Sequence, residues 1–330
     1  MKKFILFLCT LLCVTFAFAG CTSAPTPSKT NRWENGETLN YRVELTKTLV
    51  DTTNVEFQKF TYPNLQGAQL APDEAKGTYK TTITKNSQGQ YELKSSFEVV
   101  ETYLKQDLPE ASTFADCADI VTETADTYAF RSTMESTVVF ESFPTGTPIR
   151  SEKVVNGAYV YRKTLTETAV LRNHFQATAN YEANKCATKI MQYNTATNQF
   201  DTPLKAEKVV EFSGTVYDNE QLYFAVRALN METLLTSSST NFQILNAVEQ
   251  RLQPIMVQTA AKTIIDVEAN AVVYPSYSLM MGISEAGKSG GAVQMYFDSA
   301  STIDAGTAGY VPAQPLVRMA QGHLTYKLVR

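Results

Sequence analysis

The sequence predicts a mainly β protein, a large antiparallel sheet of long strands with one principal helix packed on it. Three observations carry that expectation. Threonine, tyrosine, valine and phenylalanine are abundant, and β-branched and aromatic side chains suit a pleated, half-buried surface. Alternating apolar and polar segments recur along the chain between polar turns. Only one segment, opening at Asp218, combines a strong helix start with a sustained apolar face.

In chain order, the first twenty residues come before any fold. Lys2 and Lys3 form a basic start, Phe4 to Phe18 an apolar run, and Ala19-Gly20 a small-residue end, the order of an export signal. A spanning helix needs about 20 apolar residues, and this run of about 15 fits a signal core of roughly 7–15 better. Phe18-Ala19-Gly20-Cys21 resembles the bacterial lipobox, in which the cysteine receives a diacylglyceryl group and becomes the new N-terminus. A plain secretory signal cut after Ala17-Phe18-Ala19 is the alternative, and Cys21 favours the lipobox. Two acyl chains anchor stably where one does not. The expected location is the extracytoplasmic side of the cell membrane, held through acylated Cys21. Residues 21–32 carry Pro25, Pro27 and small polar side chains and read as a flexible tether.

The β-rich domain is expected over residues 33–330, with two subdomains meeting near 200–215 as an option. Thr78–Lys85 and Gln90–Leu104 flank Asn86-Ser-Gln-Gly89 and predict a hairpin. Asp107–Thr127 is acidic without alternation and reads as a loop with a short helix. Ser151–Val155 and Ala158–Leu171 flank Asn156-Gly157, the strongest short hairpin signal. Phe175–Tyr181, Ala187–Tyr193 and Lys205–Phe212 read as strands, with a turn at Asn194–Asn198. The helix is expected from Asn219 to about Asn230. Asp218 and Gln221 form a capping box, Tyr217 and Leu222 a hydrophobic staple, and Leu222, Ala225, Val226 and Leu229 the apolar face. Strand patterns resume at Phe242–Leu252, Lys262–Met281, Gly291–Phe297 and His323–Val329, with a helical alternative for Ser237–Leu252.

Composition narrows the function classes. The formal charge is −4, and removing residues 1–20, which hold two lysines and no acid, takes it to −6. Nucleic-acid and polybasic lipid-surface roles need clustered positive charge and are disfavoured. Of five cysteines, Cys9 and Cys13 leave with the signal and Cys21 is acylated. Cys117 and Cys186 remain; an exported compartment permits a disulfide between them, and two isolated buried thiols are the alternative. The two histidines, His174 and His323, lie near no cysteine, so no metal site is expected, and each reads as a surface or satisfied structural histidine.

Gly282-Ile-Ser-Glu-Ala-Gly-Lys-Ser289 matches the phosphate-binding pattern G-x-x-x-x-G-K-S. Gly290-Gly291 opposes the helix that such a loop must open, so the segment reads as a hairpin loop and no nucleotide is expected. No G-x-S-x-G nucleophile elbow occurs. The acid pairs Asp116/Asp119 and Glu123/Asp126 read as a solvated face.

Several segments together resemble a widespread family of uncharacterised exported bacterial proteins. They are Trp33-Glu-Asn-Gly-Glu37 with Leu39 and Tyr41, Pro148–Lys153, Ala179-Asn-Tyr181, Tyr217–Leu229 and Pro315–Leu328. The resemblance implies a curved antiparallel sheet or half-barrel with a helix on one face, similar to the half-barrels that carry lipoproteins across the periplasm. It implies no agreed activity. With 17 tyrosines and 17 phenylalanines, the leading expectation is a non-enzymatic envelope lipoprotein binding a lipid-like or peptide ligand in an apolar groove. One alternative is a structural or assembly factor engaging an envelope protein through an edge strand; another is a hydrolase. Neither catalytic residues nor cofactors are expected.

Overall fold

A computed structural model describes residues 31–46, 68–163, 167–237, 239–285, 288–289 and 293–330. The export signal, Cys21 and the tether up to residue 30 lie outside the described residues. The first half of the sheet contains β1 (Thr38–Leu45), β2 (Ala68–Gln69), β3 (Glu74–Lys85), β4 (Tyr91–Leu104), β5 (Val121–Glu123) and β6 (Thr127–Phe140). It continues through β7 (Pro148–Arg162), β8 (Thr168–Tyr181), β9 (Lys185–Asn194) and β10 (Gln199–Glu211). After β11 (Tyr217–Asp218) come two short helices, α1 (Leu222–Arg227) and α2 (Met231–Ser237). The second half holds β12 (Ser239–Asn246), β13 (Arg251–Thr259), β14 (Ile265–Ala269), β15 (Val272–Glu285), β16 (Lys288–Ser289) and β17 (Val293–Asp298). The small ribbon β18 (Thr302–Asp304) and β19 (Tyr310–Pro312) precedes β20 (Leu316–Gln321) and β21 (Leu324–Val329).

Nineteen of these strands join one sheet. Its ladders run β10–β9–β8–β7–β6–β4–β3–β1–β21–β20–β17–β15–β13–β12, antiparallel throughout. Strand β1 lies between β3 and β21, so the N-terminal strand joins the two halves. The sheet curls until its ends meet through side chains. Gln250 donates from Nε2 to the Ala206 carbonyl at 2.9 Å, and Lys205 donates from Nζ to the Val248 carbonyl at 3.0 Å. Val248 packs with Val155, Phe175 and Ile190, and Leu245 packs with Ala179, Cys186 and Val210. The result is a mainly β fold, as the strand-rich sequence predicts, whose barrel-like closure goes beyond the expected curved sheet or half-barrel.

Alternation along the strands decides what faces inward. Tyr41 and Val43, Leu93 and Val99, Val138 and Phe140, Val293 and Met295, and Tyr326 and Leu328 share one core with Leu222, Phe224, Val226 and Leu229. The helix therefore packs against the inward faces of these strands. Its start is the expected one: Asp218 accepts from the Glu220 N–H at 2.9 Å, and Gln221 Oε1 accepts from the Asp218 N–H at 3.2 Å. Its length is not. A 3-10 turn at Asn219–Gln221 leads into only six α-helical residues, and a second helix follows after Asn230.

The Asn156-Gly157 hairpin does not form. Strand β7 runs straight through it, and the chain reverses beyond Arg162, where the Lys163 N–H donates to the Glu167 carbonyl at 2.8 Å. Gly157 is instead needed for a close approach, since a Cβ there would fall 2.5 Å from Ser132 Oγ. At this point β7 leaves β6, and β5 takes its place beside residues 128–130 of β6. The segment expected as one strand, Phe242–Leu252, is two, turning at Gln250 with φ 54°. Lys262–Met281 likewise splits at Asn270 and Ala271, whose φ of 49° and 64° suit a tight hairpin. The helical reading of Ser237–Leu252 gives way to strand. The loop with a short helix at Asp107–Thr127 is present as a 3-10 segment, Ala111–Cys117, followed by β5.

Candidate functional site

Beside the start of α1, a partly open cavity of about 150 Å3 enters the barrel. Strands β3 and β4 give it Tyr79, Phe97, Val99 and Glu101; β20, β21 and the turn between them give Met319, His323, Leu324 and Tyr326. Lys153 reaches in from β7 and Met134 from β6, while Asn219, Glu220, Leu222 and Tyr223 close it from the helix. The rings form a continuous wall, with Tyr79 and Tyr326 edge to face at 5.7 Å and Phe97 and Tyr326 at 6.0 Å.

Two buried polar pairs line the apolar space. Lys153 donates from Nζ to Glu220 Oε1 at 2.8 Å, with the lysine side chain 7% and the glutamate 16% exposed. Asn219 Nδ2 donates to the same oxygen at 3.0 Å. His323 Nε2 lies 2.5 Å from Glu101 Oε1, with both side chains buried. Tyr103 donates its hydroxyl to Glu101 Oε2 at 3.4 Å. Charged groups are costly to bury unless partnered, so Lys153 and Glu220 hold each other in place, and the Glu101 carboxyl is held by His323 and Tyr103. Burial pushes the Tyr79 phenol up to about 12 and raises that of Tyr223 well above its ordinary value. Tyr223 donates to Gln321 Oε1 at 3.3 Å.

Asp218 forms a separate buried centre behind the helix start. Its Oδ2 accepts from Ser151 at 2.5 Å and from Tyr181 at 2.6 Å. Burial outweighs these bonds and lifts its carboxyl to about 6. On the other side of α1, Arg227 is fully partnered. It makes two bonds to Glu37, at 2.5 and 2.8 Å, and donates at 2.6 Å to each of the Ala313 and Arg32 carbonyls. Trp33 lies beside it, edge to face with Tyr91, Phe143 and Phe224. The Trp33–Glu37 motif thus holds the N-terminal segment against the helix.

The other singled-out residues are not brought together. Cys117 packs with Phe114 and Ile120, whereas Cys186 packs with Ala179 and Val210, and both are free thiols. The disulfide alternative is not formed, because the two lie in separate core clusters. Burial raises each thiol to about 12, the behaviour of an inert core cysteine. His174 stacks on Tyr193 at 4.1 Å and burial lowers its pKa; His323 is a partnered interior residue. Asp119 pairs with Arg172, and Glu123 with Lys105 at 2.5 Å. Among the described residues, no group of three His, Cys, Asp or Glu could hold a metal ion. Lys288–Ser289 pairs as a strand with Ser284–Glu285, so the phosphate-loop pattern turns a hairpin where a helix would be required.

Sequence reading passed over Glu101 and Lys153. A signal existed for Glu101: it continues the inward register of Tyr91, Leu93, Phe97 and Val99, a charge at a core position. No protein-family model and no curated protein sequence matches this chain. Among solved structures it is similar to a beta-barrel-like protein of a domain of unknown function, DUF1849, from Brucella abortus. The TM-score is 0.48 at 8% identity, over 89% of this chain and 95% of that one.

Proposed function

We propose that this protein is a non-enzymatic envelope lipoprotein, tethered to the membrane through acylated Cys21, that holds the apolar group of a lipid-like or peptide ligand. The observation that carries the reading is the 150 Å3 pocket lined by Tyr79, Phe97, Met319 and Tyr326 beside the start of α1. The pocket is partly open to solvent, and its apolar walls forfeit contacts that close packing would supply, which is reasonable for a site that a ligand completes. Its size suits one aromatic ring or a short stretch of acyl chain. Edge-strand docking has less support. The terminal strand β10 is already bridged at Ala206 by Gln250, carries Pro203, Lys205, Glu207 and Lys208 and is broken by register shifts, devices that discourage strand addition.

Purification of the mature chain from membranes, followed by mass spectrometry of what co-extracts, tests the ligand. A reproducible apolar species at near-stoichiometric amount supports the reading, and repeated recovery of empty protein overturns it. Cys21→Ser tests the tether separately. The variant is expected in the soluble fraction with its fold unchanged, and full retention in the membrane would rule out the acyl anchor.

A further inference from the structure

The charge and aromatic character of the cavity name a class of ligand, an inference that rests on the proposed reading of the cavity as a binding site. Lys153 is occupied by Glu220, so that pair is neutral. Glu101 faces the same space with His323 as its partner. The lining thus sets two carboxylates, Glu101 and Glu220, against a single lysine, Lys153. The phenols leave this balance unaltered, since burial keeps Tyr79 and Tyr223 protonated. Tyr79, Phe97 and Tyr326 line the same space, and an aromatic quadrupole attracts a cation held above a ring.

An anionic group entering this space would lie against Glu101 and Glu220 with Lys153 already committed. A neutral polar group would have to satisfy its hydrogen bonds on partners already engaged. A cation fits both features. We propose that the cavity takes a cationic alkylammonium group, such as a quaternary ammonium on a short apolar chain, between the aromatic wall of Tyr79, Phe97 and Tyr326 and the carboxylate of Glu101.

The test compares three probes of matched length on the purified full chain by titration calorimetry: hexyltrimethylammonium, heptanoate and 1-heptanol. Hexyltrimethylammonium is expected to bind about tenfold tighter than heptanoate. Phe97→Leu keeps the wall apolar while removing one ring, and should weaken the ammonium several-fold with heptanol unchanged. Glu101→Gln keeps an acceptor for His323 and should also weaken only the ammonium; if it fails to fold, Phe97→Leu carries the test. Heptanoate binding as tightly as the ammonium overturns the charge argument while leaving an apolar site standing. Binding of none of the three overturns the cavity reading itself. Equal losses of ammonium and heptanol in Phe97→Leu overturn the cation–ring contact.

Discussion

The two sides of helix α1 are built from similar materials and come out differently. Toward Arg227, Tyr41, Phe224 and Phe297 leave only about 20 Å3 of space, which Tyr79, Glu220 and Tyr223 border from the other side. On the Glu220 side, aromatics and two buried polar pairs leave about 150 Å3. Arg227 meets Glu37 and two backbone carbonyls, a complete set of partners that ties three segments together. The polar groups of the other side pair with one another at the rim of a space and leave its centre apolar. The lesson is that buried charge alone does not mark a site; buried charge beside unfilled volume does.

The largest expected effect lies on the closed side. Arg227→Ala strands the Glu37 carboxylate and should lower unfolding free energy by about 3–5 kcal/mol in urea titrations. A loss below about 1 kcal/mol would mean that the closed side is held by its rings alone.

Asp218, between the two sides, gives the next test. Its carboxyl is raised to about 6 when folded against an ordinary 3.8. Between those values the folded state binds the extra proton, so this group's contribution to stability falls as pH rises from about 4 to 6 and stays low above. The loss is on the order of 2–3 kcal/mol. Asp218→Asn should lack that slope, so the stability difference between parent and variant should change by this amount across the window. A parallel pair of curves across this window would show that the hydrogen bonds from Ser151 and Tyr181 offset burial.

Gly157→Ala tests the close approach of β7 to Ser132, four residues beyond Lys153. The new methyl meets Ser132, and overpacking of this kind costs about 1–3 kcal/mol. Ser132→Gly in the same chain should recover most of it, and failure to do so would place the strain elsewhere. The smallest effect is expected from filling the open side. Met319→Trp should change stability by no more than about 1 kcal/mol either way while abolishing co-extraction of a ligand. Ligand retained by that variant would separate the binding site from this cavity.

Legibility in the sequence followed the range of the interactions involved. The helix start was readable because a capping box spans four consecutive residues, Asp218 to Gln221, and needs nothing distant. The hairpin at Asn86–Gly89 was readable for the same reason, with Gly89 at φ 83°. Asn156-Gly157 misled because its glycine answers to Ser132 on another strand, a contact without local signature. The short length of α1 was equally hidden: its end follows from packing inside the barrel, where even Arg227 is buried. Of the site, His323 was named, but its partner Glu101 is distant in sequence and was found only through the fold.

The sequence by itself determined a mainly β chain, the start of its helix, the absence of a helix after the phosphate-loop pattern, and the expectation of an anchor at Cys21. Each depends on residue type and near-neighbour spacing, which one chain displays directly. Tertiary structure alone decided that β1 joins the two halves of the sheet, that the sheet ends meet through Gln250 and Lys205, and that Cys117 and Cys186 stay apart. It also decided that Lys153, Glu220, Glu101 and His323 surround one cavity. The physical reason is that strand register and barrel curvature bring together residues far apart along the chain, and side-chain packing between strands has no fixed period in sequence.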